Sequence, residues 1–281
     1  MKIQDLRTSF INVLSEIYDA DEVTSFFYLL SEKILDLSRV DIAMNLSKEL
    51  TLEELKTFDL ARKRLEKQEP IQYIIGSTYF YGLSFVVNSN VLIPRPETEE
   101  LVDWIVKDYK NKKVQILDIG TGSGCIAITL AKNLPEAQVY AIDISEGAIE
   151  VARENAKQNK VDITFIKADI LNMDEMLQDF DVIVSNPPYV RELEKIEIKT
   201  NVLDNEPAGA LFVSDHEPLI FYKKITDIAV EKLNDNGALY FEINQYLGKE
   251  TKKMIQEQGF LSVTLRKDLY ANDRMIKACF D

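Results

Sequence analysis

The sequence predicts a doubly wound α/β domain, with a mostly parallel seven-stranded sheet, preceded by a small helical bundle. Two observations support this fold class. From residue 114 onward, short β-branched apolar runs alternate with segments of helical periodicity, which is the pattern of a parallel sheet covered by helices. Before residue 70, apolar residues recur only at helical spacing, as in Ile3, Leu6 and Phe10.

Composition divides the chain into three predicted segments, namely a helical domain at 1–70, a linking hairpin at 71–93 and an α/β domain at 94–281. In the first, Thr51 and Glu54 have the spacing of a capping box and open a third helix. In the second, aromatic and β-branched residues are interrupted by turn formers, as expected of a hairpin. We expect a stiff proline-containing segment to lead from there into a helix near 97–110.

The third segment contains the alternation itself. Strands are predicted at 114–119, 138–142, 162–166, 181–185 and 238–243. Helices are predicted at 125–133, 146–159, 217–233 and 247–258. Two further strands, near 260–266 and 274–280, are expected to pair as a closing hairpin, which gives the sheet a final antiparallel strand.

Composition also limits the classes of partner and binding site that the chain can have. The 281 residues include 33 Lys and Arg against 47 Asp and Glu, a net charge of −14, which argues against a nucleic-acid partner. A lone histidine, His216, and two cysteines argue against a metal site. The chain has no apolar run of membrane-spanning length, and its first residues lack the apolar core of a signal peptide. We therefore expect a cytoplasmic protein with reduced, buried thiols.

A glycine-rich loop, Gly120-Thr121-Gly122-Ser123-Gly124, follows the first strand of the alternation and opens a helix. Glycines let the backbone approach a ligand closely, and open sheets bind ligands at the carboxyl ends of their strands. A P-loop is excluded because no Gly-Lys-Ser/Thr follows. The loop alone suits a nicotinamide cofactor as well as an S-adenosyl cofactor, since Gly122 to Ala127 also fits the G-x-G-x-x-A pattern.

Acidic residues at three successive strand ends favour S-adenosyl-L-methionine. Asp118 suits the amino group of a methionine moiety and would repel a pyrophosphate. Asp143 offers two acceptors for ribose hydroxyls. Asp169 is placed to accept from an adenine amino group while Ile170 covers the ring. Each residue alone is an ordinary strand-end residue, but the three together predict a nucleoside-containing ligand.

A second motif, Asn186-Pro187-Pro188-Tyr189, follows the apolar strand at 181–185. The two prolines fix φ and remove two backbone donors, so they make a stiff corner. The Asn186 side-chain oxygen, the Pro187 carbonyl and the Tyr189 ring suit a planar NH2 group. Beside the glycine loop, this corner predicts methyl transfer to an amide or amine nitrogen. Asn186, Pro187 and Tyr189 are the expected catalytic residues, and all four residues are expected to bind the substrate.

Three stretches of the chain together closely resemble the release-factor glutamine methyltransferases, the PrmC/HemK family. They are Pro94-Arg95-Pro96-Glu97-Thr98-Glu99, Asp118 to Gly124, and Asn186 to Tyr189. The resemblance implies a Rossmann-like, S-adenosyl-L-methionine-dependent enzyme that methylates the glutamine of the Gly-Gly-Gln motif in peptide chain release factors. The helical domain is then expected to dock the protein substrate. The expected cofactor contacts are Gly120, Thr121, Gly122, Ser123, Gly124, Asp143, Asp169, Ile170 and Asn186.

The chain departs from the family pattern in three places. Ile170 stands where the family often has an aromatic residue, Asn244 replaces a usual glycine, and the turn at 268–274 lacks its usual central glycine. Other functions stay open at this stage. The same corner would serve an adenine-N6 DNA methyltransferase or a glutamine methyltransferase acting on a ribosomal protein. From other classes, a nicotinamide reductase and a non-enzymatic binding module remain as alternatives.

Overall fold

The computed structural model describes residues 1–173, 178–198 and 200–281. They form two compact units, Met1–Gly76 with Thr200–Asn205, and Ser77–Lys199 with Glu206–Asp281. In the described ranges, no helix combines the length and the apolar character that crossing a bilayer requires. Those ranges also contain no group of three His, Cys, Asp or Glu residues arranged to hold a metal ion. Cys125 and Cys279 are free thiols, and both are half-buried rather than fully buried as expected.

The first unit is helical, as predicted. Its helices are α1 (Ile3–Leu14), α2 (Ala20–Leu35), α3 (Arg39–Met44), α4 (Leu52–Glu66) and α5 (Ile71–Ile75), with α9 (Thr200–Asn205) from later in the chain. Phe10, Phe27 and Phe58 lie in its separate apolar core. The capping box is confirmed, since the Thr51 hydroxyl accepts from the Glu54 amide and the Thr51 amide donates to the Glu54 carboxylate.

Three short helices of this unit, α3, α5 and α9, were not predicted. The helix that begins after Thr51 is the fourth, because α3 precedes it with its own capping box between Ser38 and Asp41. The start of the expected hairpin segment is also helical, as α5, and it ends at Gly76 in the left-handed region at φ 79°. Helices of five or six residues carry too few periodic positions for a sequence pattern to reveal them.

The second unit begins with a two-stranded hairpin, β1 (Ser77–Phe80) and β2 (Leu83–Val86). Its two-residue turn has φ 48° at Tyr81 and φ 76° at Gly82, as in a type I′ turn. The Tyr81 amide donates to the Glu99 carboxylate at 2.8 Å, which fixes the otherwise unfavourable conformation of Tyr81. The hairpin of the structure thus occupies 77–86, which lies within the expected range of 71–93.

The remaining elements alternate as predicted, except for a short helix at Ala208–Leu211, which was not predicted. The helices are α6 (Pro96–Tyr109), α7 (Cys125–Asn133), α8 (Glu146–Asn159), α10 (Ala208–Leu211), α11 (Ile220–Lys232) and α12 (Gly248–Glu257). The strands are β3 (Gln115–Ile119), β4 (Gln138–Asp143), β5 (Thr164–Lys167), β6 (Phe180–Ser185), β7 (Val190–Arg191), β8 (Phe212–Val213), β9 (Leu233–Glu242), β10 (Ser262–Lys267) and β11 (Asp273–Cys279). Short 3-10 helices lie at Ile170–Asn172 and Glu192–Glu197.

The main sheet has seven strands in the order β10-β11-β9-β6-β3-β4-β5. All neighbours from β9 to β5 run parallel, and β11 pairs antiparallel with both β9 and β10. The predicted fold class is thus confirmed. β9 begins at Leu233, five positions before the predicted start at 238, because Leu233 already pairs with Phe180 of β6. The turn-forming residues Asn234 to Gly237 form an irregularity in this pairing, which resumes where Ala238 pairs with Val182. The small parallel pair β7–β8 was not predicted.

Both faces of the main sheet are buried, as in other parallel sheets. Val182 and Val184 of β6 face a core that includes α6 and α7, while Ile183 between them faces a core that includes α11 and α12. Strand order reverses between β3 and β6, since β4 and β5 continue on one side of β3 and β6 lies on the other. The carboxyl ends of these two strands therefore form the crevice where open α/β sheets bind their ligands.

Candidate active site

A cavity of about 400 Å³ lies at this crevice. Its wall is built from four segments, one at the carboxyl end of each of the strands β3, β4, β5 and β6. They are residues 119–123, 142–145, 168–171 and 185–188. Pro94, Arg95 and Thr98 close one side, and Phe221 and Ile225 of α11 contribute apolar surface. The cavity therefore brings the glycine loop and the proline corner to a single site.

Ten of the twelve residues predicted for the site lie on this wall. They are Gly120, Thr121, Gly122, Ser123, Asp143, Asp169, Ile170, Asn186, Pro187 and Pro188. Gly124 and Tyr189 are not among the lining residues. The assignment of each residue to cofactor or substrate stays a prediction, while their assembly around one cavity is a property of the structure.

The glycine loop is held open by its own backbone. The Gly120 and Thr121 amides both donate to the Ile142 carbonyl, at 2.8 and 3.0 Å. Gly120 and Gly122 have φ values of 73° and 54°, and a Cβ on either would meet no atom within 4 Å. The loop therefore presents bare backbone, which allows close approach of a ligand.

Gly124 has a different role from the other two glycines. It is the N-cap of α7 at φ 80°, and a Cβ there would lie 2.8 Å from Ile128 Cδ1 and 3.2 Å from Ala152 Cβ. The absence of a side chain at this position lets α7 and α8 pack closely. Its expected contact with a cofactor stays a prediction that this geometry does not support directly.

Asp143 and Asp169 lie on the wall at the carboxyl ends of two neighbouring strands, Asp143 as the last residue of β4 and Asp169 shortly after β5. Asp143 accepts from the Gly122 amide at 2.8 Å and from the Ser145 amide at 2.9 Å. Asp169 accepts from the Leu171 amide at 3.0 Å and from Asn172 Nδ2 at 2.6 Å. These bonds orient both carboxylates, and every oxygen keeps a second lone pair for a ligand.

Asp118 is fully buried beneath the glycine loop and is not among the residues that line the cavity. Its Oδ2 accepts from the Thr121 hydroxyl at 2.7 Å, while its Oδ1 makes no hydrogen bond. Burial raises the pKa of Asp118 to about 7, against the lowering effect of the Thr121 hydroxyl. Asp118 thus supports the loop and retains an acceptor without a partner. The expected contact of Asp118 with an amino group stays a prediction.

The proline corner is fixed at both of its ends. Before it, the Ser185 hydroxyl donates to the Ile119 carbonyl at 2.7 Å and joins the ends of β6 and β3. After it, Asn244 Nδ2 donates to the Tyr189 carbonyl at 2.9 Å and to the buried Glu194 carboxylate at 2.8 Å. Asn244, at the position where the family pattern usually has glycine, therefore stabilises the corner with its side chain.

A buried carboxylate that sequence reasoning missed lies behind this corner. Glu242, at the end of β9, is 1% exposed and accepts from the Thr98 hydroxyl at 2.6 Å and from the Tyr189 hydroxyl at 3.0 Å. Burial raises the pKa of Glu242, although these two hydrogen bonds and Arg274 lower it. Burial likewise raises the pKa of Tyr189. The available signal was an acidic residue that ends the apolar run Leu239-Tyr240-Phe241.

A second buried carboxylate supports the cavity wall at Arg95. Glu206 accepts from Arg95 Nη2 at 2.7 Å and from the Ile93 amide at 3.2 Å. This contact fixes the start of the segment whose Pro207 and Gly209 line the wall. Sequence reasoning did not name this pair as part of the site, although Arg95 stands in one of the stretches that carry the family resemblance.

Comparisons with known proteins identify both parts of the chain. A family model described as a methyltransferase domain matches residues 110–278, and one described as the PrmC N-terminal domain matches residues 5–76. A release factor glutamine methyltransferase of Flavobacterium psychrophilum is 54% identical and covers 100% of both chains. The enzyme of the same name from Bacteroides thetaiotaomicron is 46% identical over 94% of this chain and 95% of its own.

Solved structures match at the level of the fold. The catalytic domain of hMettl16 is 18% identical, covers 91% of both chains and has a TM-score of 0.60. The 16S rRNA methyltransferase RsmC of T. Thermophilus, in complex with AdoMet and guanosine, is 16% identical, with a TM-score of 0.54 over 73% of this chain and 50% of its own. The identity and coverage of the curated relatives are decisive for the family. The chain belongs to the release factor glutamine methyltransferases, a family of S-adenosyl-L-methionine-dependent enzymes.

Proposed function

We propose that this chain transfers the methyl group of S-adenosyl-L-methionine to the side-chain amide nitrogen of the glutamine in the Gly-Gly-Gln motif of peptide chain release factors. The observation that supports this function best is the shared cavity. Asn186, Pro187 and Pro188 line the same wall as the glycine loop at 120–123. A planar amide held by the corner therefore meets a ligand held by the loop.

The residues present fit the cofactor. Gly120 and Gly122 leave open space beside the backbone, and Asp143 and Asp169 keep free lone pairs at two strand ends. Asp118 Oδ1 is an acceptor without a partner beneath the loop. When bound, the cofactor supplies an electrophilic methyl group on a sulfonium. Ile170, 8% exposed on the wall, offers an aliphatic contact for the adenine ring.

The corner supplies what an amide nucleophile lacks. An amide nitrogen is a poor nucleophile because its lone pair is delocalised into the carbonyl. The Asn186 side-chain oxygen and the Pro187 carbonyl accept from the two N–H groups, and they stabilise positive charge that develops on nitrogen. In-line transfer needs the two reacting atoms about 3–3.5 Å apart, so rigid positioning provides much of the acceleration. The proton leaves after the transfer, and no general base is assigned.

The helical first unit is proposed to dock the release factor, while the second unit carries the chemistry. Its core is separate from the two cores of the sheet, so it is a compact body in its own right. The division at 1–70, 71–93 and 94–281 is kept as the functional division of the chain. We place the protein in the cytoplasm, because its proposed substrate acts in translation termination.

The proposal is tested by incubating the full-length protein with a purified release factor and S-adenosyl-L-methionine, and then weighing the products. We expect one added methyl group on the release factor, and none when the glutamine of its Gly-Gly-Gln motif is replaced by alanine. The matched enzyme variant is Asn186→Ala, which is expected to bind cofactor but lose turnover. Methylation of duplex DNA with none on the release factor would favour an adenine-N6 methyltransferase, and methylation of ribosomal protein alone would favour the other alternative.

A further inference from the structure

Three polar side chains from distant parts of the chain form a line that ends at the cavity. Asn186 Nδ2 donates to Thr98 Oγ1 at 3.4 Å, and the Thr98 hydroxyl donates to Glu242 Oε2 at 2.6 Å. Asn186 and Thr98 lie on the cavity wall, whereas Glu242 lies behind it. The mechanism described above uses only the first of these three residues.

The direction of each hydrogen bond follows from the last member of the line. An ionised carboxylate can only accept, so Thr98 must donate its single hydroxyl proton to Glu242. The Thr98 oxygen is then left as an acceptor, and the Asn186 NH2 group is its donor. The planar side-chain amide carries its NH2 group and its oxygen on opposite sides. Because the NH2 group of Asn186 faces Thr98, its oxygen must face away from Thr98 and toward the cavity.

We propose that Glu242 is a positioning residue that acts through Thr98 to fix which end of the Asn186 amide faces the substrate. This inference rests on the proposed methyl transfer to glutamine. With the oxygen facing the cavity, Asn186 accepts from the substrate NH2 group. With the amide reversed, Asn186 would present its own NH2 group, and two donors would oppose each other.

The groups around Glu242 determine its protonation state, and only the ionised carboxylate is restricted to accepting hydrogen bonds. Burial favours its neutral form, while the Tyr189 hydroxyl and Arg274 favour the carboxylate. Five titratable or charged groups act on it from neighbouring elements. They are Glu97 of α6, Cys125 of α7, Tyr189 after β6, Tyr222 of α11 and Arg274 of β11. A protonated Glu242 could donate to Thr98, and Thr98 could then donate to Asn186, which reverses the line.

The test compares Thr98→Val, Thr98→Ser and Glu242→Gln with the wild type in full-length protein. The substrate is a short peptide that contains the Gly-Gly-Gln motif. The inhibitor is the same peptide with glutamate in place of that glutamine. Thr98→Val removes the hydroxyl at almost constant shape, and Thr98→Ser keeps it. S-adenosyl-L-methionine affinity, measured by calorimetry, reports whether each variant is folded.

We expect Thr98→Val and Glu242→Gln to lower kcat by about a hundredfold, the scale that misorientation produces, with little change in cofactor affinity. Thr98→Ser should restore most of the turnover that Thr98→Val loses. Glu242→Gln should also strengthen inhibition by the glutamate peptide, because a reversed Asn186 offers donors to a carboxylate. The wild-type kcat should fall at acidic pH as Glu242 is protonated, and this acidic limb should be absent from Glu242→Gln.

The outcomes separate this inference from the proposed function. If the wild type fails to methylate the glutamine of a release factor, the proposed function is wrong. If the wild type is active but Thr98→Val matches its kcat, the inference is overturned and the function stands. An unchanged preference between the two peptides in a folded Glu242→Gln variant would also overturn it. Should Glu242→Gln not fold, the Thr98 variants decide alone, because Val replaces only the hydroxyl of Thr by a methyl group and Ser keeps that hydroxyl.

Discussion

The Nδ2 atom of Asn155 donates a hydrogen bond of 2.9 Å to the carbonyl oxygen of Ser123. The same buried amide accepts from the Val86 amide at 2.6 Å and donates to the Val86 carbonyl at 3.0 Å. One side chain of α8 therefore connects the edge of the hairpin to the glycine loop. The loop is shaped from behind by a residue that does not line the cavity.

Replacing Asn155 by alanine should destabilise the protein and weaken cofactor binding. The change leaves two backbone groups of Val86 and the Ser123 carbonyl without partners, and we expect a loss of about 2–4 kcal/mol in the free energy of unfolding. Urea denaturation and calorimetric titration with S-adenosyl-L-methionine measure the two effects. The matched control is Asn159→Ala, because Asn159 bonds the hairpin at the Ser84 carbonyl without touching Ser123. Equal cofactor affinity in both variants would contradict the role assigned to Asn155.

Gly124 and Gly120 have similar positive φ values, yet alanine should affect them differently. The Cβ added by Gly120→Ala would lie in open space, so this variant is destabilised only by its left-handed backbone conformation. We expect the free energy of unfolding to fall by about 1–2 kcal/mol. Gly124→Ala adds a contact of 2.8 Å to Ile128 Cδ1, and overpacking should destabilise the protein by about 1–3 kcal/mol more. Urea denaturation of the two variants measures the packing effect as the difference between their free energies of unfolding. Equal destabilisation of both variants would refute the packing role of Gly124. Gly120→Ala should in turn impair cofactor binding more than its stability loss suggests.

The buried Asp118 should make stability depend on pH. Its pKa is 3.8 in an exposed chain and about 7 in the folded protein. Between these pH values only the folded state holds the proton, so the stability that it contributes is complete below pH 4 and decreases as pH rises to 7, by about 4 kcal/mol. Asp118→Asn cannot titrate, so the variant should gain stability relative to the wild type over this range. Denaturation across pH 4–8 without cofactor measures the difference, and a constant offset would contradict the prediction.

The proposed docking role of the first unit predicts an effect on protein substrate alone. Val40 and Met44 lie one turn apart on α3 and are 67% and 79% exposed. We expect Val40→Asp with Met44→Asp to raise KM for a release factor by about tenfold and to leave KM for a short Gly-Gly-Gln peptide unchanged. Leu261→Asp, at a position 78% exposed in the second unit, is the control. A parallel rise for peptide and protein would show that these residues do not dock the substrate.

Local patterns in the sequence were sufficient for the sheet and for the order of its elements. The run at 181–185 identifies β6 because β-branched residues fill a strand that is buried on both faces. The glycine loop and the proline corner are likewise contiguous, so their chemistry can be seen without knowing the fold. Parallel strands then bring their carboxyl ends together, which is why ten of the twelve predicted residues share one cavity wall.

Partners distant in sequence could not be inferred in this way. Nothing near Thr98 indicates that its hydroxyl binds a carboxylate 144 positions later, or that Arg95 pairs with Glu206, 111 positions later. The substrate contact expected of Tyr189 stays a prediction, and the sequence did not indicate that its hydroxyl donates to Glu242 or that its ring packs on one of the two sheet cores. These contacts depend on strand order, and strand order is set by long-range packing rather than by any local pattern.

The separation of Thr98 from Glu242 also has a consequence during protein synthesis. Translation proceeds from the amino terminus, so the glycine loop and the proline corner emerge from the ribosome well before the last residue of β9. A nascent chain that stops short of this strand has no carboxylate to accept the hydrogen bond of the Thr98 hydroxyl. We therefore expect activity to begin only after β9 has been synthesised and has joined the sheet.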